Sequence, residues 1–186
     1  MMKNERPKSE EKMLEATYVE REIIAKLDEV AEQYLRKGYG SEDQDRKIVK
    51  YSPVEALHLL ELKRMNLKDD EGKDVNFNQL LAKTSMIEKN LWRDYIVYRD
   101  LRRRNYVVKD GFSSELRFRV FERGEYSEKP AKYLVAIIYE GKNVSVEKIM
   151  EWLEICRSVR KELTLAVVDR RNEVVYYTLK TVDLVP

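Results

Sequence analysis

Tyr95-Ile96-Val97-Tyr98-Arg99-Asp100-Leu101-Arg102-Arg103-Arg104-Asn105-Tyr106-Val107-Val108-Lys109-Asp110-Gly111 reads as a helix running straight into a strand. Leu91, Tyr95, Tyr98 and Leu101 recur at helical spacing as one apolar stripe, with Arg99, Arg102 and Arg103 turned elsewhere. Asn105 tolerates the left-handed turn that ends a helix, and Tyr106, Val107 and Val108 begin a β-branched and aromatic run. A helix therefore delivers the chain onto the edge of a sheet. The arginines suit the negative end of the helix dipole. Whether they also face a polyanion must be decided by the rest of the chain.

Downstream, Leu116, Phe118 and Val120 alternate with Arg117, Arg119 and Phe121, the period-two pattern of a half-buried strand. The apolar run Tyr133 to Tyr139 suits a central strand. Ser145 caps a predicted helix whose Val146, Ile149, Met150, Leu153 and Cys156 share a face. Leu163–Val168 and Val174–Leu179 read as two further strands joined by the tight connection Asp169-Arg170-Arg171-Asn172-Glu173. The result is a carboxyl-terminal domain over 87–186, a mixed sheet flanked by helices.

Upstream, residues 1–12 carry few apolar side chains and read as a disordered tail. Tyr18–Ile24 is expected as a short strand, and Asp28 as the cap of a helix closing near Gly38. Gly38–Arg46 reads as a polar connection and Ile48–Tyr51 as a strand. Ser52, Pro53 and Glu55 then form a capping box, with proline at the first helical position, opening a helix so apolar that it must be buried. Lys68–Lys73 reads as a turn. Asn76 and Gln79 cap another helix, with Val75 and Leu80 as its hydrophobic staple. Residues 13–86 thus form a small amino-terminal α+β domain, and the whole chain is α+β / α/β in class.

The 186 residues are 43% hydrophobic and 38% charged, but 36 basic side chains against 34 acidic leave a net charge of only +2. No global field attracts nucleic acid, so any such contact depends on local clustering. The abundance of Lys, Glu and Arg suggests the surface ion-pair style of thermophilic proteins. A single cysteine, Cys156, rules out a disulfide framework and fits a reducing compartment. No window has the apolar length of a membrane span, and the Lys- and Glu-rich amino terminus does not read as a leader, so a cytoplasmic protein without membrane contact is expected. His58, the only histidine, lies inside the most apolar helix and reads as structural. Zinc spacings, a phosphate-binding glycine loop and a Gly-x-Ser-x-Gly elbow are all absent. One metal pattern stands as an alternative: Asp110, Glu140 and Lys142 at sheet edges, placed to hold Mg²⁺ for a nuclease. A second alternative is a stand-alone RNA-binding module using Arg102 to Arg104 with Arg117 or Arg119.

A more specific signal lies in the order of several motifs. Tyr51-Ser52-Pro53-Val54-Glu55-Ala56-Leu57, Tyr98-Arg99-Asp100-Leu101-Arg102, Tyr106-Val107-Val108-Lys109 with Gly111, Phe118-Arg119-Val120 with Arg123-Gly124, Tyr133-Leu134-Val135, Val159-Arg160-Lys161, Leu165-Ala166-Val167-Val168-Asp169 and Val175-Tyr176-Tyr177 together resemble the archaeal tRNA-splicing endonucleases over most of 48–186. The resemblance implies cleavage of precursor-tRNA introns at a bulge-helix-bulge without a metal or other cofactor. The products are a 2′,3′-cyclic phosphate and a 5′-hydroxyl. A tyrosine takes the 2′-hydroxyl proton, a histidine protonates the leaving oxygen, and a lysine stabilises the phosphorane.

Carried onto this chain, the lysine falls at Lys161, but Phe121 occupies the tyrosine position and Pro130 the histidine position. A phenyl ring can stack but cannot move a proton. The expectation is a non-catalytic structural subunit, inactive alone, that holds a heterotetramer with a catalytic partner on precursor tRNA. Arg102, Arg103, Arg117, Arg119 and Arg160 are the candidate RNA contacts. Asp169, Glu173, Val174, Val175, Tyr176 and Tyr177 are the candidate subunit interface. The family's connection between the last two strands is acidic and docks into a basic cleft of a neighbour; here Arg170 and Arg171 give it mixed charge.

Overall fold

The computed structural model describes residues 12–181; the tail expected over residues 1–12 lies, but for Lys12, outside them. The chain first builds β1 (Leu14–Val19), β2 (Glu22–Lys26), α1 (Glu29–Arg36), β3 (Ser41–Asp43), β4 (Ile48–Tyr51), α2 (Pro53–Glu61), β5 (Met65–Asp69) and α3 (Phe77–Ser85). Its strands form one sheet in the order β3-β4-β2-β1-β5, with β1 and β5 parallel and the other pairs antiparallel. Three local readings need correction. Tyr18–Ile24 is not one strand but the end of β1, a tight turn and the start of β2, with Glu20 and Arg21 both at positive φ (51° and 70°); that conformation favours Gly or Asn, so the turn had no composition to announce it. The polar 38–46 stretch contains the edge strand β3, and the 68–73 turn begins only after Lys68 and Asp69 have completed β5.

The predicted helix starts are found where the side chains placed them. Asp28 accepts from the backbone N–H groups of Val30 and Ala31, and Asn76 and Gln79 exchange their reciprocal bonds. Ser52 donates its backbone N–H to Glu55 Oε2 at 2.9 Å. Both oxygens of Glu55 are in use, since Oε1 accepts from Gly40 N and from the Lys109 ammonium.

The second half supplies α4 (Leu91–Arg103), β6 (Val107–Asp110), β7 (Leu116–Phe121), β8 (Tyr133–Tyr139), α5 (Val146–Ser158), β9 (Glu162–Val168) and β10 (Val174–Leu179). Helix α4 ends as its sequence requires: Asn105 sits at φ +64°, while Asn105 N bonds to Arg102 O and Tyr106 N to Leu101 O. The sheet runs β10-β9-β8-β7-β6, parallel only between β8 and β9, and is therefore mixed. Phe118, Val120, Val135 and Ala166 pack into the core containing α4, while Leu134, Ala136, Leu163 and Leu165 pack with Trp152 and Cys156 of α5 on the other face. A register shift between Leu116 and Phe118 puts those two on opposite faces.

The core under α4 also runs without interruption into the first sheet and α2, so the two halves share it. Gly38, at φ +78°, closes α1 where any Cβ would meet Val107 of β6 at 2.2 Å. A few residues away, the nearly buried Lys109–Glu55 pair, 2.7 Å apart, ties β6 to the start of α2. Removing one partner strands the other charge in a desolvated place. Glu55→Ala is therefore expected to destabilise the chain by about 3–5 kcal/mol in a urea titration, with an undiminished m-value.

Candidate functional site

The three positions singled out by the resemblance converge at one end of the second sheet. There β7 ends while β8 and β9 begin, and the pairings Val120 with Tyr133 and Tyr133 with Glu162 set the residues just outside them side by side. Phe121 follows Val120, Lys132 precedes Tyr133, and Lys161 precedes Glu162. Lys132 N donates to Val120 O at 3.0 Å and Glu162 N to Lys132 O at 2.9 Å, fixing this row through backbone bonds. Lys161 is held from both sides: its N–H bonds to Cys156 O as α5 ends, and its ammonium donates to Ala131 O at 2.6 Å, one residue past the exposed Pro130. Arg160 adopts φ +54° in the same turn.

The ring of Phe121, half-buried, meets the Tyr126 ring edge-on at 4.8 Å. Beside it Glu122 accepts from Lys132 Nζ at 2.7 Å and from the Tyr133 hydroxyl at 3.1 Å. The Lys132 ammonium holds the Glu122 carboxyl below its usual range, while burial raises the Tyr133 phenol. The row thus contains an ammonium group and a carboxylate already committed to its own lysine, with no imidazole. It can attract and orient a phosphate; the aligned positions themselves supply neither a base nor an acid.

The candidate RNA-binding arginines do not form one patch. Arg102 lies 3.9 Å over the Tyr39 ring and donates to Lys37 O, bracing α4 against α1. Arg117, its side chain only 16% exposed, is ion-paired with Asp94 at 2.6 Å and Asp110 at 2.7 Å. Arg119 donates to Asp110 O. Only Arg103 and Arg160 are left exposed, Arg103 with a loose 4.0 Å contact to Glu61, and of these only Arg160 adjoins the row.

The metal alternative fares worse. Asp110 is occupied by Arg117, and Glu140 instead anchors the β9–β10 connection, accepting from Arg170 N and facing Arg170 Nε at 3.2 Å. Asp110 and Lys142 line one hollow, but Glu140 is turned to Arg170 and is not among its lining residues, and among the described residues no group of three His, Cys, Asp or Glu side chains converges. Glu140 as a loop anchor is a role that no residue spacing announces.

At the opposite edge, Asp169 Oδ1 accepts from Arg171 N and Glu173 N, with Asn172 at φ +65°, shaping a tight loop. Among the described residues strand β10 is an open edge. Val174 and Tyr176 turn into the core, and the Tyr176 hydroxyl bonds Asp100 at 2.9 Å. Val175 and Tyr177 are 52% and 54% exposed.

Comparison with known proteins agrees with this architecture. Residues 14–81 match the model of the tRNA intron endonuclease N-terminal domain and residues 91–176 that of the tRNA intron endonuclease catalytic C-terminal domain. A tRNA-splicing endonuclease of Methanococcus vannielii is 35% identical over 143 residues, spanning 77% of this chain and 80% of that protein. One from Methanothermobacter thermautotrophicus is 34% identical over 142 residues, 75% and 79% of the two chains. The relative from Methanosarcina barkeri, 30% identical over 164 residues, is longer: the match covers 87% of this chain but 47% of it.

His58 lies far from this chemistry in the fold, 4% exposed in α2 between the Tyr39 and Tyr98 rings, with Nδ1 unpartnered and 3.8 Å from Glu61. Burial, reinforced by Arg102, Arg103 and Arg64 and opposed by Glu61, pushes its pKa down to about 4. The imidazole is therefore neutral in the folded chain, and the stability this contributes is complete above about pH 6.5 and is lost as the pH falls towards 4. His58→Leu is expected to flatten the pH dependence of unfolding free energy across that window by up to about 3 kcal/mol relative to the parent, measured by denaturant titration at each pH.

Proposed function

The chain belongs to the tRNA intron endonuclease family, and from that premise we propose that it is the non-catalytic structural subunit of a heterotetrameric tRNA-splicing endonuclease. Its assembly would cut precursor-tRNA introns at bulge-helix-bulge sites, leaving 2′,3′-cyclic phosphate and 5′-hydroxyl ends with no metal. One observation carries the reading. The row is held by the same strand ends and backbone bonds that a working site would need, yet on the assignment we favour Phe121 and Pro130 stand where proton acceptor and donor belong, and Lys161 is the one group of the three retained. Geometry without proton transfer suits a chain whose task is spacing two cleavage sites rather than cutting either.

The division near residue 86 fits the same scheme, an amino-terminal domain braced to a carboxyl-terminal one through α4. For assembly, Val175 and Tyr177 on the open β10 edge are the contacts we favour, since an exposed edge with apolar outward side chains is a template for pairing. For RNA, Arg160 and Arg103 are the arginines with free reach, and Arg119 can contribute its remaining N–H groups.

The decisive assay uses a bulge-helix-bulge transcript in EDTA. The chain alone is expected to leave it intact, and to join a homologue carrying the tyrosine and histidine in an active complex of two copies each by mass measurement. Cleavage by the isolated chain would overturn the proposal. Phe121→Tyr with Pro130→His is expected to give this chain detectable cleavage in the same assembly, and general acid–base groups account for factors of about 10²–10⁴ each. Tyr177→Asp is expected to abolish the complex in size-exclusion chromatography while leaving the circular dichroism of the chain unchanged.

A further inference from the structure

Helix α4 does not cover the whole of its sheet face. It stops at Arg104, and beyond the left-handed Asn105 the sheet is left open at the end where β7 leaves and β8 and β9 enter. The hollow so formed has a volume of about 240 Å³. Its floor is apolar, made by Val120 and Val135 at 2% and 1% exposure, with the nearly buried Thr164 beside them. It lies on the side of β7 occupied by Val120, and so across the sheet from Phe121.

The walls are aromatic and cationic. Tyr106, Tyr133 and Tyr176 line the hollow, and two guanidinium groups stand at its rim, Arg123 at 4.7 Å over the Tyr106 ring and Arg104 at 5.5 Å over the Tyr176 ring. The two arginines differ. Arg104 is neutralised by Asp100 at 2.8 Å, whereas among the described residues no carboxylate pairs with Arg123. Glu122, next in sequence, is taken by Lys132 and Tyr133. Arg123 therefore presents a planar cation, already stacked on a phenol ring, to a cavity with an apolar floor. That combination suits a flat ring and an attached anion. Aromatic side chains stack on any base face, and guanidinium binds phosphate with two parallel N–H bonds.

We propose that this hollow is a binding site for one phosphorylated nucleoside, its base inserted beside Tyr106 over the Val120–Val135 floor and its phosphate held by Arg123. The volume falls below the roughly 300–1,000 Å³ of pockets for drug-sized ligands, so the hollow has room for one base, with sugar and phosphate at the rim beside Arg123. The source is either a free mononucleotide or one unstacked residue of an RNA strand. The site stands apart from the row of Phe121 and Lys161 and does not depend on whether this chain cuts RNA.

Calorimetric titration of the full chain with AMP, UMP, adenosine, inorganic phosphate and a short single-stranded oligouridylate tests the assignment. At least one of the mononucleotides or the oligonucleotide is expected to bind saturably, with adenosine and phosphate about tenfold weaker or more. Arg123→Gln and Tyr106→Leu are each expected to weaken that binding about tenfold, and Tyr106→Phe, which keeps the ring, to preserve it. Binding of a mononucleotide identifies a free-nucleotide site; binding of the oligonucleotide alone identifies an RNA residue as the occupant. Circular dichroism on each variant separates loss of binding from loss of fold. Absence of saturable binding by every phosphorylated probe, or binding unmoved by both Arg123→Gln and Tyr106→Leu, would overturn the proposal.

Discussion

The architecture depends on one helix being buried on two sides. Leu91, Tyr95, Ile96, Val97, Tyr98 and Leu101 of α4 are all at most 5% exposed. Such a set cannot be gathered on one stripe of a helix, because consecutive residues at 95–98 point around most of its circumference. The helix accordingly has α2 and α3 against it on one side and the second sheet on the other, with one continuous apolar core through both. Either half of the chain alone would leave a face of α4 in water. At about 25 cal/mol per Å² of apolar surface, that exposure is large against a net stability of roughly 5–15 kcal/mol. The buried Lys109–Glu55 pair adds direction to this non-directional contact, since an ammonium group that also reaches Gly40 O can be satisfied in only one arrangement of the two halves.

That double burial also explains what could be read from the residues and what could not. The stripe Leu91, Tyr95, Tyr98 and Leu101 was legible by period, as was the left-handed Asn105, because both are local. Ile96 and Val97, off the stripe, were the signal of a second buried face. The capping residues Asp28, Ser52, Asn76 and Ser145 were legible for the same local reason: a short polar side chain before an apolar run has one favoured use. The Glu20-Arg21 turn and strand β3 were hidden, the first because its residues lack turn chemistry, the second because a solvated edge strand of Ser-Glu-Asp has no period to detect. Pairing partners were hidden throughout. That Arg117 would be spent on Asp94 and Asp110, or Arg102 on Tyr39 and Lys37, is a fact of distant chain segments meeting.

At the candidate site, register does most of the positioning. Three consecutive strand ends bring Phe121, Lys132 and Lys161 into a row through backbone bonds alone, so the side chains can change without disturbing the frame. On the proposed assignment, a phenyl ring in place of a phenol keeps the bulk and the edge-on contact with Tyr126 and removes one hydroxyl. Proline at 130 occupies a loop position where the chain supplies a carbonyl, from Ala131, to the lysine rather than an imidazole to a substrate. Fold stability and proton transfer are therefore separable here, which is the physical condition for a chain to lose the second while the first persists.

The β9–β10 connection bears on how such a chain would assemble. A loop that docked by charge would need a net sign, yet Asp169 and Glu173 are matched in number by Arg170 and Arg171, and Arg170 is already paired with Glu140 just past β8. Arg171 and Glu173 are of opposite sign, and exposed opposite charges a few residues apart largely cancel beyond a Debye length of about 8 Å. Long-range attraction by this loop is weak. In the proposed assembly the burden of association would fall instead on the neighbouring strand, where among the described residues a free backbone edge offers hydrogen bonds and Val175 and Tyr177 offer apolar area in the same stretch. Contacts of that kind are insensitive to salt and strict in register, because a slip of one residue along β10 would replace Val175 and Tyr177 with Tyr176 and Thr178 and expose the core face instead. In the proposed assembly, specificity would therefore be a matter of strand register more than of charge.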